Sequence, residues 1–139
     1  MSAILISEKD CILTITMNRP KTLNAFCPEV VHDLKEAFES VMDRRHVRAV
    51  HLKAEGTSFS AGADLQYMRK IAEDNLHTNV IDAQKLFDMF NAGAKVPVPL
   101  VGEVQGYVFG GGVGLTAICD MVVANEDSKF CFSEVKLGL

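Results

Sequence analysis

The sequence feature that most constrains the fold is a run of three glycines, Gly110, Gly111 and Gly112. The mostly apolar residues 100–104 before it predict a buried strand, and the apolar residues after it predict a helix. Glycines in the first turn of a helix leave backbone N–H groups uncovered by side chains, and the helix dipole adds partial positive charge there. Such a turn suits an anion, or a carbonyl oxygen that gains negative charge.

The glycine run does not match the common phosphate-binding motifs. A dinucleotide-binding loop needs G-x-G-x-x-G, and Leu115 or Ala117 stands where either register requires the last glycine. A Walker A loop needs a lysine after its last glycine, but Leu115 follows Gly114. A nucleophile elbow needs a serine between glycines and is also excluded. The glycines alone support close helix–sheet packing as well as they support a ligand site.

A second loop of small residues favours the ligand site. Residues 59–65 follow a predicted strand at residues 48–54 and open a predicted helix, for which Asp64 suits the N-cap or the first turn. Ala63 therefore offers another bare N–H near the carboxyl ends of strands, where open α/β folds bind ligands. Two such N–H groups that converge on one oxygen form an oxyanion hole.

The order of the remaining elements predicts an α/β fold in one domain, residues 1–139. Residues 3–7 and 11–17 predict a hairpin, and Pro28 at a first helical position begins a helix to about residue 43. On that helix, Val30, Val31, Leu34, Phe38, Val41 and Met42 share one face. Further predictions are helices at residues 65–72 and 75–94, a buried strand at residues 121–124 and a strand at residues 130–132.

Composition narrows the class of protein. A net charge of −4 over 139 residues argues against a nucleic-acid partner, and no stretch of 18 uninterrupted apolar residues suggests a membrane span. The first ten residues lack the basic and apolar regions of a signal peptide, so we expect a cytoplasmic protein. The four cysteines form no C-x-x-C pair and are expected as buried thiols, and we predict no metal site.

Taken together, these motifs resemble those of the crotonase (enoyl-CoA hydratase/isomerase) family. The matching stretches are residues 18–25 (NRPKTLNA), 59–65 (FSAGADL), 104–112 (VQGYVFGGG), 119–120 (CD) and 132–138 (FSEVKLG). They follow the family's order and spacing, so the set is far more specific than any single stretch. Residues 133–139 further resemble bacterial hydratases of branched unsaturated thioesters, such as the methylglutaconyl-CoA type.

The resemblance implies a crotonase-like spiral of β-β-α turns and an acyl-CoA thioester as substrate. Coenzyme A is then part of the substrate, and no separate cofactor is expected. The thioester oxygen is expected between the N–H groups of Ala63 and Gly111. Five residues match positions that line the family's CoA groove: Lys21, Leu23, Ala61, Asp64 and Leu65. For Lys21, an exposed solvated side chain is an equally open reading.

Family members commonly use two glutamates for proton transfer, and this sequence departs from that pattern. Glu134 matches the second glutamate, whereas the first falls on Gly114, which cannot transfer a proton. We favour an enoyl-CoA hydratase that uses Glu134. A 3,2-enoyl-CoA isomerase, which needs a single carboxylate, and a non-catalytic acyl-CoA-binding or assembly fragment remain alternatives. Glu103 does not match the lost glutamate, and Asp120 is expected to have a structural role.

Crotonase-family proteins are much longer than this chain. The resemblance therefore implies that residues 1–139 correspond to the N-terminal core of a longer protein. The part beyond them normally supplies the helices that close the active site and build trimers or hexamers. We expect a homotrimer or hexamer for the full-length form.

Overall fold

A computed structural model of the chain describes residues 2–132 and Val135. Its strands are β1 (Ile4–Lys9), β2 (Ile12–Met17), β3 (Ala49–Ala54), β4 (Leu100–Val104), β5 (Tyr107–Phe109), β6 (Met121–Ala124) and β7 (Lys129–Cys131). Its α-helices are α1 (Pro28–Ser40), α2 (Leu65–Ile71), α3 (Leu76–Ala94) and α4 (Gly111–Ala117), with short 3₁₀ helices at Pro20–Thr22 and Val41–Asp43. The α/β prediction is confirmed.

The main sheet of the described residues has the strand order β1-β2-β3-β4-β6. β1 and β2 form the predicted antiparallel hairpin, whereas β2, β3, β4 and β6 pair in parallel through helical crossovers. A second, two-stranded sheet pairs β5 with β7 in parallel. The sequence predicted only a turn where β5 forms, because its three residues are too few to show a periodic pattern.

The hairpin corrects one of the predictions for the cysteines. Lys9 pairs with Ile12, so Asp10 and Cys11 alone make the turn, and both have positive φ angles of 52° and 63°. This is the conformation of a two-residue type I′ turn, whose side chains point into solvent. Cys11 is therefore exposed rather than buried, and Cys27, Cys119 and Cys131 are half-buried.

The core lies between the main sheet and helices α1 and α3. Leu34 and Phe38 of α1 are buried against it, together with Met89 of α3. From the sheet, Val50 and Leu52 point inward as predicted. Met42 is 62% exposed, so its predicted place on the buried face is wrong. The α-helix ends at Ser40, and the tighter 3₁₀ turn that follows changes the period of the face.

The predicted burial of residues 121–124 is also wrong. β6 is an edge strand that pairs only with β4 in the described residues, and all four of its residues are exposed. Met121 and Val123 have exposed fractions of 60% and 64%. An apolar strand reads as buried from its sequence, but burial also requires a layer on both faces of the sheet.

Asn24 joins the loops that follow β2 and β3. Its side-chain amide donates to the carbonyl oxygens of Glu55 and Ser58, each at 2.9 Å, and its Oδ1 accepts from the Arg19 N–H at 2.8 Å. The residue is 1% exposed and has a φ of 53°, a conformation that asparagine tolerates better than most residues. The Asn24 side chain thus supplies hydrogen bonds between the two segments beyond the ends of β2 and β3, where the backbone pairing of the strands has stopped.

Asn24→Ala is expected to destabilise the fold by about 2–3 kcal/mol or more, because it leaves buried backbone groups without partners. Asn24→Gly removes the same hydrogen bonds, but glycine adopts the positive φ without strain. This variant therefore separates the loss of the hydrogen bonds from the effect of backbone strain. Urea unfolding measures both variants, with Asn125→Ala, at an exposed turn, as the control. Equal stability of Asn24→Gly and the parent protein would contradict this role.

Candidate active site

The loop before α2 pairs with the segment before α1 through two backbone hydrogen bonds. Phe26 N–H donates to the Gly62 oxygen at 2.7 Å, and Asp64 N–H donates to the Phe26 oxygen at 2.9 Å. These bonds form a parallel bridge between Phe26 and Ala63. In such a bridge Phe26 bonds the residues on either side of Ala63, so the N–H of Ala63 itself points the opposite way.

The N–H of Ala63 differs from those of its neighbours. Ala61 N–H donates to the Leu23 oxygen at 2.9 Å, and Gly62 N–H donates to Ser60 Oγ at 3.2 Å. None of the hydrogen bonds among the described residues uses the Ala63 N–H. The loop thus satisfies its other donors internally and presents this one outward.

Gly111 presents the second such N–H. It is the first residue of α4, where the N–H has no acceptor within the helix. The preceding Gly110 N–H donates to the Cys131 oxygen at 2.9 Å, but no bond within the described part of the chain uses that of Gly111. Glycine is required there, because a Cβ on Gly111 would lie 2.5 Å from the Phe26 ring.

The two loops lie directly against each other. Gly62 has a φ of 88°, and a Cβ placed on it would lie 3.2 Å from the Phe109 oxygen and 3.7 Å from Gly110 Cα. Only glycine combines this conformation with so close an approach. The contact brings Ala63 beside the glycine turn, and Ala63 and Gly111 line the same cavity.

That cavity has a volume of about 500 Å³ and lies between α1, α2 and α3. The size is typical of a site for a small organic ligand. Its apolar walls come from Phe26, Val31, Met68, Ile71 and Leu86, and its charged groups include Asp82, Lys85 and Asp88. Two backbone donors on residues that line a mostly apolar cavity can bind a carbonyl oxygen whose substituent is apolar.

Tyr67 and Asp82 form a polar pair in the cavity wall. Burial, and then interaction with the nearby Asp82 carboxylate, raise the pKa of Tyr67 to about 12. The hydroxyl therefore stays protonated at neutral pH. This pair is not evident from the sequence, because its two members belong to different helices and match no motif.

The residues predicted for a CoA groove lie outside this cavity. Lys21 and Leu65 are exposed, whereas Leu23 and Ala61 are half-buried and joined by their backbone bond. Asp64 confirms the predicted N-cap, since its Oδ1 accepts from the N–H groups of residues 66 and 67 at 3.0 and 3.3 Å. None of the five is among the described residues that line the cavity. Their role in binding CoA stays a prediction.

The carboxylates considered from the sequence fall into three cases. Glu134 lies outside the described residues, so its catalytic role stays a prediction. Glu103 is exposed and bonded to His51 Nε2 at 2.8 Å, and it does not line the cavity. Asp120 has the expected structural role, because its Oδ2 accepts from the Leu100 N–H at 2.8 Å.

The structure also shows what stands beside Gly114. A Cβ at this position would lie 2.8 Å from two atoms of the Phe90 ring. A glutamate therefore fits there only if Phe90 moves. At this position, where the family resemblance predicts a glutamate, the backbone lies against the Phe90 ring.

Comparison with known proteins identifies the family. The family model for enoyl-CoA hydratase/isomerase matches residues 7–139. The chain belongs to this family. Its fold is the crotonase fold: it superposes with a TM-score of 0.96 on a Legionella pneumophila protein described as an enoyl-CoA hydratase/isomerase (crotonase). The two are 39% identical, over 100% of this chain and 54% of the other.

Relatives within the enoyl-CoA hydratase/isomerase family carry different names. The mitochondrial enoyl-CoA hydratase of Pongo abelii is 30% identical over 96% of this chain and 46% of its own length. A Mycobacterium tuberculosis protein named as a hydrolase of a methyl-dioxo-hexahydro-indene-carboxyl-CoA is 35% identical over 91% of this chain and 50% of its own length. The chain therefore spans about half the length of these curated relatives.

No described helix is long and apolar enough to cross a membrane. Within residues 2–132 and Val135, no group of three or more His, Cys, Asp or Glu residues could hold a metal ion. The cavity with its two backbone donors remains the candidate site.

The Tyr67–Asp82 pair gives a titration test. The chain has two tyrosines, so a Tyr107→Phe background isolates Tyr67, whose tyrosinate absorbance should titrate near pH 12. Asp82→Asn should lower this pKa while leaving it above the ordinary value of 10.0, because burial is the larger cause. Asp88→Asn, in the same cavity wall, is the control and should leave it unchanged.

The same raised pKa fixes the sign of a pH effect on stability. The folded tyrosine holds its proton to about pH 12, whereas an unfolded one loses it near pH 10.0. The contribution is therefore complete below pH 10 and is lost as the pH rises towards 12. If the free energy of unfolding fell by the same amount over this pH range in Tyr67→Phe as in the parent protein, the assignment would be contradicted.

Proposed function

We propose that the full-length protein is an enoyl-CoA hydratase that adds water across the 2,3 double bond of a 2-enoyl-CoA. One observation carries the proposal: the N–H groups of Ala63 and Gly111 come from separate loops, line one cavity and are used by no hydrogen bond among the described residues. A thioester oxygen in this place would accept both bonds. Negative charge that develops on it during the reaction would be stabilised.

The proposed chemistry follows from that oxygen. Polarising the thioester draws electrons from the conjugated double bond, so C3 becomes open to attack by water and C2 collects charge as an enolate. The oxygen of water bonds to C3, one of its protons passes to a base, and C2 then takes a proton. We assign the proton transfers to Glu134. Coenzyme A enters only as part of the substrate.

The cavity supports an acyl group as its occupant. Its walls are mainly apolar, and Ala63 and Gly111 are among the residues that line it. We place the CoA portion outside it, along Lys21, Leu23, Ala61, Asp64 and Leu65. The likeness of residues 133–139 to hydratases of branched thioesters makes a branched acyl chain the first candidate.

An isomerase is the second candidate function. Gly114 has no carboxylate, and the Phe90 ring fills the space beside it. This position therefore supplies no second acid to hold the attacking water. A single carboxylate is enough to move a proton between C2 and C4. The same enolate, held by the same two N–H groups, serves both reactions.

Location and assembly belong to the proposal as well. We propose a homotrimer or hexamer, following the sequence resemblance, and a cytoplasmic location. The relative from Pongo abelii is named as mitochondrial, so a mitochondrial location is the alternative. Light scattering of the full-length protein and fluorescence localisation of a tagged copy address the two points separately.

Turnover of three substrates distinguishes the functions. Hydration of crotonyl-CoA and of 3-methylglutaconyl-CoA is followed as loss of enoyl-thioester absorbance. An isomerase would instead convert a 3-enoyl-CoA to the 2-enoyl-CoA without forming a 3-hydroxy product. The proposal expects hydration. CoA binding without turnover of any enoyl-CoA would sink the enzymatic function and leave a binding role.

Glu134→Gln in the full-length protein should lower kcat by about 10²-fold or more, because it removes the proposed proton-transfer group but keeps its size. Glu103→Gln is the matched control, since that exposed carboxylate pairs with His51 and lies outside the cavity. Unchanged kcat in Glu134→Gln would contradict the assignment.

A paired substitution tests the role of Phe90. Gly114→Glu alone should disturb the fold, since its Cβ would lie 2.8 Å from the Phe90 ring. Phe90→Ala combined with Gly114→Glu makes room for the side chain and adds a second carboxylate. This double variant should raise the ratio of hydration to isomerisation above that of Phe90→Ala alone. An unchanged ratio would show that Gly114 does not limit hydration.

A further inference from the structure

Arg19 belongs to the NRP segment that carries part of the family resemblance, yet no step of the proposed reaction uses it. Its guanidinium lies beside the Ala63 loop. Nη1 donates to the Ala25 oxygen at 2.8 Å, and Nη1 and Nη2 lie 3.5 and 3.4 Å from Asp64 Oδ2. Its side chain is 25% exposed and that of Asp64 is 15% exposed, so the pair is sheltered from water.

The first of these contacts acts on a single peptide group. The Ala25 carbonyl that Arg19 binds and the Phe26 N–H belong to the same planar peptide unit. That N–H donates to the Gly62 oxygen at 2.7 Å. By fixing the orientation of this peptide unit, the contact with Arg19 fixes the direction of the Phe26 N–H, which bonds Gly62, the residue before Ala63.

The second contact acts from the other side of Ala63. Asp64 N–H donates to the Phe26 oxygen at 2.9 Å, while the Asp64 side chain caps α2 through Oδ1 and faces Arg19 through Oδ2. Arg19 thus closes a ring that runs through the Ala25–Phe26 peptide, Gly62, Ala63 and Asp64. Ala63 is the one member of that ring whose N–H is used by no hydrogen bond among the described residues, and Ala63 lines the cavity.

We propose that Arg19 is a positioning residue of the oxyanion hole, which holds the Ala63 N–H in direction through its contacts with the Ala25 carbonyl and the Asp64 carboxylate. This inference rests on the proposed function, because it assumes that the Ala63 N–H binds the thioester oxygen. Arg19 itself does not line the cavity. Its effect is on the geometry of the donor, and a small displacement of such a donor is costly in rate.

Arg19→Gln, Arg19→Lys and Arg44→Gln in the full-length protein form a matched set. Arg44 is the control, because it also pairs with a carboxylate, Glu8 at 3.2 Å, but lies away from the cavity. Arg19→Lys keeps the charge but has no planar fork to reach both acceptors, so it should give an intermediate effect.

The expected result separates rate from binding. Arg19→Gln should lower kcat on an enoyl-CoA about tenfold, with a much smaller change in KM, because the oxyanion donor acts mainly in the transition state. Hydrogen exchange at the amides of Phe26 and Asp64 should become faster. Arg44→Gln should match the parent protein in both measurements. Asp64→Asn combined with Arg19→Gln should cost little more than Arg19→Gln alone, since both remove the same link.

Two other outcomes would count against the role of Arg19 or against the proposed function. A lower unfolding midpoint of Arg19→Gln with unchanged kcat and unchanged amide exchange would overturn the proposal and leave Arg19 a purely structural role. Absence of turnover in the parent protein would instead count against the proposed function. In that case, amide exchange at Phe26 and Asp64 still decides whether Arg19 holds the loop, and unchanged exchange rejects it.

Discussion

The candidate site depends on how Phe26 is held between two loops. Its N–H donates to Gly62 and its carbonyl oxygen accepts from Asp64, the residues on either side of Ala63, and its ring lies over Gly111. One residue thus sets the direction of the first backbone donor and demands a glycine at the second. Because backbone N–H groups cannot rotate as side chains do, a fixed backbone gives a preorganised site for a developing negative charge.

Much of this arrangement could be predicted from local sequence. The glycine run and the small-residue loop around Ala63 each follow a strand, and parallel strands bring their carboxyl ends to one edge of a sheet. Asp64 suits an N-cap by its residue type and its place, and the structure confirms it. Such signals are local, so no knowledge of distant contacts is needed to recognise them.

The features that were missed depend on distant contacts. Phe26 looks like an ordinary apolar residue before a helix, and its pairing with Ala63 joins residues 37 positions apart (63 − 26). The partners of Asn24, at positions 55 and 58, are 31 and 34 positions along the chain. The burial of residues 121–124 was wrong for a related reason, because exposure depends on which layers cover a strand. Local patterns carry no information on either point.

The most direct test is a crystal structure of the full-length protein with a bound acyl-CoA. The account predicts that the thioester oxygen lies within about 3 Å of the nitrogen atoms of both Ala63 and Gly111. It also predicts that the acyl chain occupies the cavity between α1, α2 and α3. A thioester oxygen bonded to neither nitrogen, or an acyl chain bound outside the cavity, would contradict the central claim.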